Sequence, residues 1–213
     1  MHYEILETER RALLPFLTPL KTGFYLAGGT ALALQIGHRE SVDFDFFTEK
    51  DFAPDQLFQN LQTILTDHRL QKTHEAKNTL YIVSDETTLF SFITDRHPLI
   101  EQAINEPFLR LARLADIGGM KLSAITSRAA YKDYIDLYYI LKQTPLANLL
   151  AKTKRKMPEL SLPLVLKSLV YFDDVKEEKL NFRSGFGIAF SEVKSSIEKT
   201  VKEYAEKNYQ LHL

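Results

Sequence analysis

The chain of 213 residues contains no cysteine. This absence excludes disulfides and thiolate metal sites, and it fits a reducing compartment, so we expect a cytoplasmic protein. The chain also lacks any apolar run close to the roughly twenty residues that span a bilayer. The N-terminal segment MHYEILETERRALL is too charged for a signal peptide. We therefore expect no membrane partner.

The chain has almost no excess of charge of either sign: 27 basic and 28 acidic residues leave a formal net charge of −1. Proteins that depend on phosphate contacts usually carry a basic excess or a basic patch, so any nucleic-acid site must be local. One compact basic cluster consists of Lys152, Lys154, Arg155 and Lys156. It has two interpretations: a solvated helix C-terminus favoured by the helix dipole, or a contact to the phosphates of an acceptor.

The composition is that of a globular protein, with 45% hydrophobic and 26% charged residues. Its length suffices for one domain of ordinary size, or for a catalytic half with a helical appendage. The pattern alternates between strands and helices in the first half of the chain and becomes helical in the second half.

The segment FYLAGGTALALQIGHRESVDFDFF, Phe24 to Phe47, combines a glycine turn with paired acids. Its initial apolar run predicts a strand, Gly28 and Gly29 predict a turn, and the apolar spacing that follows predicts a helix. Bare backbone N–H groups at a helix N-terminus, with the Thr30 hydroxyl beside them, favour an anion. This part of the segment therefore predicts a phosphate cradle.

Two carboxylates lie on the strand predicted for VDFDFF. Side chains at i and i+2 share a face of a strand, so Asp43 and Asp45 point the same way, roughly 7 Å apart at their backbones. The alternate side chains Val42, Phe44 and Phe46 point into a core. Like charges this close are costly unless a cation lies between them. Oxygen ligands of this kind suit Mg²⁺ or Mn²⁺, with water and substrate phosphates completing the coordination.

Each of these signals alone has a plain structural explanation. Glycine is common wherever a turn needs a positive φ, and an isolated pair of aspartates is commonly a solvated strand face. The histidines do not indicate a metal site, because His68, His74 and His97 lack ligand spacing on a helix. Acids flanked by aromatic residues shortly after a Gly-Gly helix start favour metal-assisted phosphoryl or nucleotidyl transfer.

A row of basic residues is predicted in the helical half. If Met120 to Leu141 forms one helix, Lys121, Arg128 and Lys132 share a face. Asp136 then lies one turn beyond Lys132. In one interpretation this is a solvated face with an ordinary i,i+4 ion pair. In the other, a lysine neutralises a leaving pyrophosphate, while Asp136 orients the lysine or assists the acceptor.

Two motifs carry a family resemblance: GGTALALQIGHRESVDFDFF and ADIGGMKLSAITSRAAYKDYIDLYYIL, Ala115 to Leu141. They resemble the nucleotidyltransferase-like proteins of the AbiEii/AbiGii abortive-infection toxin family, a branch of the polymerase-β-type nucleotidyltransferase superfamily. The resemblance implies an α+β fold, with a polymerase-β-like core at residues 1–112 in which helices flank a mixed sheet. A helical region at residues 113–213 would complete the active site and pack on the core.

The resemblance also implies a nucleoside triphosphate as donor, Mg²⁺ (or Mn²⁺) as cofactor, and an acceptor hydroxyl that in some members belongs to a tRNA end. A toxin role and a cognate antitoxin are further implications. The predicted catalytic residues are Asp43, Asp45, Lys132 and Asp136, with Asp43 and Asp45 as metal ligands. The predicted nucleotide-binding residues are Gly28, Gly29, Thr30, Arg39, Ser41 and Lys121. For Arg39, an ion pair with Asp43 or Asp45 is the alternative to a phosphate contact.

The chain departs from the family pattern on the strand predicted for Thr88 to Thr94. Related enzymes often carry a third metal-facing carboxylate in this region, and this chain has Ser91. A third acid commonly serves as the base for the attacking hydroxyl. Three hypotheses follow: a mechanism with two carboxylates, a base from Asp95, Asp133 or Asp136, or a catalytically weak relative that binds nucleotide and acts by interaction. A small-molecule nucleotidyltransferase, acting on an antibiotic or metabolite hydroxyl, is a further alternative.

Overall fold

The computed structural model describes residues 1–209 and divides into two compact units, Met1–Arg113 and Leu114 onward. In the first unit the helices are α1 (Thr8–Leu13), α2 (Gly28–Ile36) and α3 (Pro54–Ile64), and 3-10 segments cover Tyr3–Ile5 and Leu14–Thr22. The strands are β1 (Tyr25–Ala27), β2 (Phe44–Thr48), β3 (Leu70–Ala76), β4 (Thr79–Ser84), β5 (Thr88–Thr94), β6 (Ile104–Asn105) and β7 (Arg110–Leu111).

The strands of the first unit form one mixed seven-stranded sheet in the order β3-β4-β5-β2-β1-β7-β6. The pairs β2 with β5 and β1 with β7 are parallel, and the other neighbouring strands are antiparallel. The predicted hairpin is confirmed as β4 and β5, and its turn residues Asp85 and Glu86 adopt positive φ angles of 50° and 61°. The α+β class and the mixed sheet expected from the sequence are therefore confirmed.

A stack of phenylalanines forms the core on one face of the sheet. Phe44 packs on Phe90 and Phe46 packs on Phe92, each pair with ring centroids 5.2 Å apart. The parallel register of β2 and β5 causes this stacking because it sets the two pairs directly opposite each other. The alternation of acidic and apolar residues correctly predicted that Phe44 and Phe46 are buried. Its prediction that Val42 also points into the core is wrong. The strand begins only at Phe44, so Asp45 lies on it whereas Asp43, also predicted on the strand, directly precedes it, and Val42 is 42% exposed.

Within the described residues, the second unit contains helices and no β-strand. The helices are α4 (Leu114–Ser127), α5 (Tyr131–Leu141), α6 (Leu146–Lys156), α7 (Leu162–Leu169) and α8 (Phe190–Tyr209). Helix α4 contacts α5, α6 and α7, and α8 contacts α5, α6 and α7. The tyrosines of α5 are buried, and Tyr134 packs against Phe172 and Phe190, which confirms that this aromatic run serves helix packing.

The single helix predicted for Met120 to Leu141 is wrong. Helix α4 ends at Ser127, and α5 begins at Tyr131 after Ala130, whose backbone is extended with φ −83° and ψ 124°. No glycine or proline marks this break, so local propensity does not reveal it. The break lets α5 pack against α4, and this tertiary contact replaces the continuous basic face that a single helix would carry.

Among the described residues, no helix is long and apolar enough to cross a membrane.

Candidate active site

Asp45 lies directly against the glycine turn of the first unit. Ala27, the last residue of β1, pairs with Asp45 in the antiparallel register, so the carboxylate stands beside the start of α2. A Cβ atom added to Gly28 would lie 2.5 Å from Asp45 Oδ2, and Gly28 has a φ of +67°. Only glycine adopts this backbone angle without strain and also leaves room for the carboxylate. The acid and the turn are therefore parts of one arrangement.

The second glycine of the turn makes room for a buried guanidinium. A Cβ on Gly29 would lie 2.5 Å from Arg39 Nη2 and 3.4 Å from Ser41 Oγ. Arg39 is buried, and its Nη1 donates to the carbonyl of Glu40 at 2.9 Å. A fixed positive charge is thus placed beside the turn, which suits either role predicted for Arg39.

Thr30 connects the turn to the acidic segment. Its hydroxyl lies 2.8 Å from Ser41 Oγ and also donates to the carbonyl of Asp43. Thr30 is 1% exposed, so its hydroxyl serves an internal contact where the sequence suggested a phosphate contact. The N-cap residue Ala27 offers no side-chain acceptor to the backbone N–H groups of this turn.

Arg10 joins the segments that lead into β2 and β5, a role that the sequence did not reveal. Its Nε donates to the carbonyl of Val42 at 3.1 Å, and its Nη2 donates to the carbonyl of Thr87 at 3.0 Å. Glu7 forms an ion pair with the same guanidinium. Arg10 is buried although it lies in a charged helical segment that predicts exposure, and only the fold brings these carbonyls to it.

Ser91 occupies the strand position next to Asp45. The two residues are register partners on β5 and β2, and the Ser91 hydroxyl donates to Asp45 Oδ1. Asp95 lies at the far end of these parallel strands, about 13 Å along the backbone from Ser91. Its carboxylate contacts His97 Nδ1 at 2.8 Å. Asp95 therefore does not replace the missing third acid, and the hypothesis that it approaches the site is wrong.

The donor set of Asp43 and Asp45 fits a Mg²⁺ ion that also binds phosphate oxygens. Both side chains are half-buried, and both offer only oxygen ligands. Mg²⁺ is typically bound through one or two carboxylates, with water and substrate phosphates filling the other positions. Within residues 1–209, no group of three or more histidines and acids is placed to hold a metal ion. The pair thus suits a shared ion and not an all-protein cage.

The charged motif of the second unit forms a buried cluster. Lys121 Nζ on α4 lies 2.7 Å from Asp133 Oδ1 and 2.6 Å from Asp136 Oδ2 on α5. Arg128, in the break between these helices, donates through Nε to Asp133 Oδ2 at 2.9 Å. The expected ion pair of Asp136 with Lys132 is therefore replaced by one with Lys121, because the helix break turns α5 back onto α4.

Burial and charge act in opposite directions on Lys121. Burial by itself lowers the pKa of the ammonium, but the attraction of Asp136 and Asp133 outweighs it and raises the pKa above the ordinary value of 10.5. Lys121 thus remains charged, and its charge is balanced inside the unit. Lys132 is half-buried on α5 and forms no ion pair with any residue in the described range, so its assignment to a leaving pyrophosphate stays a prediction.

The basic cluster of α6 does not form one exposed patch. Lys156 is buried and forms an ion pair with Asp116 of α4 at 2.9 Å. Lys154 donates to the carbonyls of Pro158 and Leu160 after the helix end. These contacts favour the helix-end interpretation over a contact to acceptor phosphates.

The mixed sheet, with paired aspartates beside a glycine turn, places the chain in the class of nucleotidyltransferase-fold proteins. A candidate nucleotidyltransferase of Helicobacter pylori covers 96% of this chain and 96% of its own, with a TM-score of 0.60 and 16% identity. MenT4, a nucleotidyltransferase toxin of Mycobacterium tuberculosis H37Rv, covers 91% of this chain and 80% of its own, with a TM-score of 0.61 and 15% identity. At such identities the likeness shows the fold alone.

Sequence comparison identifies the family. The model of the family described as nucleotidyl transferase AbiEii toxin, type IV TA system, matches residues 12–86, which include the glycine turn and both acids. An uncharacterised protein of Aquifex aeolicus (strain VF5) is 35% identical over 189 residues, covering 86% of this chain and 88% of its own. The chain belongs to the AbiEii nucleotidyltransferase toxin family, which confirms the resemblance seen in the sequence.

A Gly28→Ala variant tests the approach of Asp45 to the turn. The added Cβ meets Asp45 Oδ2 at 2.5 Å and requires a positive φ, so we expect a loss of about 1–3 kcal/mol in the free energy of unfolding. The matched control is Gly23→Ala, where φ is −118° and no atom lies within 4 Å. Urea unfolding measures both. Equal stability of the two variants would contradict the packing described here.

An Arg10→Ala variant tests the anchoring of the acidic segment. It removes donors to two carbonyls, and a hydrogen bond from a charged donor contributes about 1.5–3 kcal/mol. We expect amide exchange from Ser41 to Asp45 to accelerate by roughly tenfold or more. The control is Arg11→Ala, an exposed neighbour on the same helix. Unchanged exchange in Arg10→Ala would exclude the anchoring role.

A Lys121→Met variant tests the buried cluster. It removes the ammonium that contacts both buried carboxylates, Asp133 and Asp136, so we expect a loss of about 3–5 kcal/mol in unfolding free energy. Adding Asp133→Asn and Asp136→Asn to it should restore part of that loss. The raised pKa means that the Lys121 contribution is present throughout neutral pH and is lost only as pH rises through that value in strong alkali. Loss of the contribution near neutral pH would refute this account.

Proposed function

We propose that the protein transfers a nucleoside monophosphate from a nucleoside triphosphate to a hydroxyl group of an acceptor, with Mg²⁺ as cofactor. The observation that carries this proposal is the contact between Asp45 and the glycine turn, with Asp43 two residues away. An anion site at a helix N-terminus and a cation site between carboxylates then lie side by side. A magnesium-bound triphosphate needs both.

The glycine turn binds the donor phosphates in this proposal. The backbone N–H groups at the start of α2 receive no side-chain cap from Ala27, so they can donate to an anion. The buried Arg39 guanidinium beside Gly29 adds a positive charge at the same place. Ser41 lies next to that guanidinium, and its hydroxyl is within reach of the same turn. Together these groups favour the charged β- and γ-phosphates.

Asp43 and Asp45 would hold the Mg²⁺ ion, which when bound neutralises charge on the phosphate oxygens. Ser91 keeps Asp45 oriented by donating its hydroxyl to Oδ1, while Oδ2 remains beside the turn. Arg10 and Thr30 fix the backbone that carries Asp43. The first unit thus supplies positioning and electrostatic stabilisation, which are the main contributions of protein groups to such reactions.

In the transfer step, the acceptor oxygen forms a bond to the α-phosphorus while the bond from that phosphorus to the β-bridging oxygen breaks. Pyrophosphate leaves with the electron pair of the broken bond. The acceptor hydroxyl releases its proton to solvent in this proposal, because Ser91, the register partner of Asp45, carries no carboxylate to accept it. The attacking and leaving oxygens are roughly in line in such displacements.

Membership of a toxin family supports the further proposals that the acceptor is an RNA, such as a tRNA end, and that an antitoxin restrains the protein. MenT4, which shares the fold, is itself described as a nucleotidyltransferase toxin. A cytoplasmic location stays a prediction of the sequence.

The contact between Ser91 and Asp45 also favours a second candidate, a nucleotide-binding relative with little turnover. Calorimetry with each triphosphate, with and without Mg²⁺, separates the two. Mg²⁺-dependent binding without labelling of any acceptor would support this second candidate.

The principal test uses purified protein, Mg²⁺, total RNA and each α-labelled triphosphate, followed by gel separation. We expect a labelled RNA band with the wild type and none when Asp43→Asn and Asp45→Asn are combined, because the variant has lost both charged metal ligands. The matched control is Asp95→Asn, which removes one carboxylate from the far end of the same strands and should retain labelling. Undiminished labelling by the double variant would refute the proposed metal role.

A further inference from the structure

A row of side chains crosses the sheet of the first unit from the glycine turn to the outer edge. Asp45 on β2 is paired with Ser91 on β5, Ser91 with Tyr81 on β4, and Tyr81 with His74 on β3. Directly paired residues in a sheet place their side chains on the same face. With strands about 4.8 Å apart, Tyr81 lies about 10 Å from Asp45 on the face that carries this carboxylate.

This part of the face exposes apolar and aromatic groups to solvent. Tyr81 is 37% exposed, and its ring contacts the His74 ring with centroids 5.3 Å apart. Leu89, two residues before Ser91 on the same face of β5, is 47% exposed. The opposite face of these strands carries the buried phenylalanine core. Tyr81 therefore presents an accessible aromatic ring in the same row of side chains as Asp45, where a bound ligand could contact it.

The direction of the transfer step places the acceptor on this side. The glycine turn, which is assigned to the leaving phosphates, lies on the β1 side of Asp45, where Ala27 is its register partner. An in-line displacement brings the attacking oxygen from the side opposite the leaving group. The side opposite the turn is that of β5 and β4. Ser91, whose side chain is small, lies between Asp45 and Tyr81 in that row.

We propose that Tyr81, with His74 beside it, is a stacking platform for the unpaired terminal base of a nucleic-acid acceptor whose 3′ hydroxyl is labelled. This inference rests on the proposed function and names its acceptor class. Bases stack on aromatic side chains without sequence preference, at about 1–3 kcal/mol per base. The sugar of the terminal nucleotide then occupies the interval between Tyr81 and Asp45, above Ser91.

An aromatic platform distinguishes this acceptor from the alternatives. An aminoglycoside-like or other polyhydroxylated acceptor presents cationic and hydroxyl groups, for which acidic and polar side chains are the suited partners. The terminal base of a blunt duplex is already stacked on its own helix, and freeing it costs energy. The terminal base of a single-stranded 3′ end can stack on the exposed ring with the smallest energy cost of unstacking.

Fluorescence tests the platform without requiring catalysis. The chain contains no tryptophan, so Tyr81→Trp introduces a single reporter that keeps an aromatic ring at the platform. We expect its emission to be quenched by a single-stranded oligoribonucleotide of mixed sequence, and much less by a blunt duplex. The matched control is Phe16→Trp, because Phe16 is 46% exposed in the same unit and also contacts a histidine ring, that of His68. It should not respond.

A kinetic experiment connects the platform to the reaction. Tyr81→Ala should raise the KM for the RNA acceptor by roughly fivefold to a hundredfold, which corresponds to the loss of one stacked base, with the KM for the triphosphate unchanged. Tyr81→Phe keeps the ring and should behave as the wild type. A merely structural role of Tyr81 would instead change both KM values or the amount of folded protein.

The outcomes separate this inference from the proposed function. Quenching of Tyr81→Trp together with the selective rise in acceptor KM supports it. Wild-type labelling of RNA without quenching overturns the platform and leaves the proposed function intact. Quenching without labelling of any acceptor would show that Tyr81 contacts nucleic acid, but it would reject the transfer activity and, with it, the role of Tyr81 in holding an acceptor. Labelling confined to a small-molecule hydroxyl, with no quenching, overturns the platform and assigns the other acceptor class.

Discussion

The close approach of the Asp45 carboxylate to Gly28 is the constraint on which the candidate site depends. The antiparallel register of β1 and β2 sets Asp45 opposite Ala27, and the carboxylate occupies the space where a side chain at Gly28 would lie. A shift of that register by one residue would turn Asp45 into the phenylalanine core. The buried stack of Phe44 and Phe46 opposes such a shift, because it would expose both rings. The core therefore determines where the acid points.

In the second unit, buried ion pairs determine how the helices pack. Lys121 joins α4 to α5, and Lys156 joins α4 to α6 through Asp116. Such pairs add little net stability, since desolvation offsets much of the attraction, but breaking one leaves an uncompensated buried charge. A helix packed in another register would bury such a charge alone. These pairs thus select the helix packing, and the lysines that they use are no longer available as open basic groups.

Local patterns predicted much of the fold and part of the site. Alternation of polar and apolar residues located β2, β4 and β5, and it correctly assigned Phe44 and Phe46 to the core. The glycine pair located the start of α2, and the order of the two motifs indicated the family. These features depend on neighbours within a few residues in the chain. Short-range sequence patterns are therefore sufficient to reveal them.

The sequence by itself determined the family, the α+β class, and the presence of two acids two residues apart after a glycine turn. Only the tertiary structure decided which groups surround those acids. Asp45 contacts Ser91, which lies on a neighbouring strand that is distant in the chain, and Arg10 donates to the carbonyls of Val42 and Thr87. It also decided that Lys121 pairs with Asp136, because the break after Ser127 has no local signal. Contacts between residues far apart in the chain depend on strand register and helix packing, which composition and spacing do not encode locally.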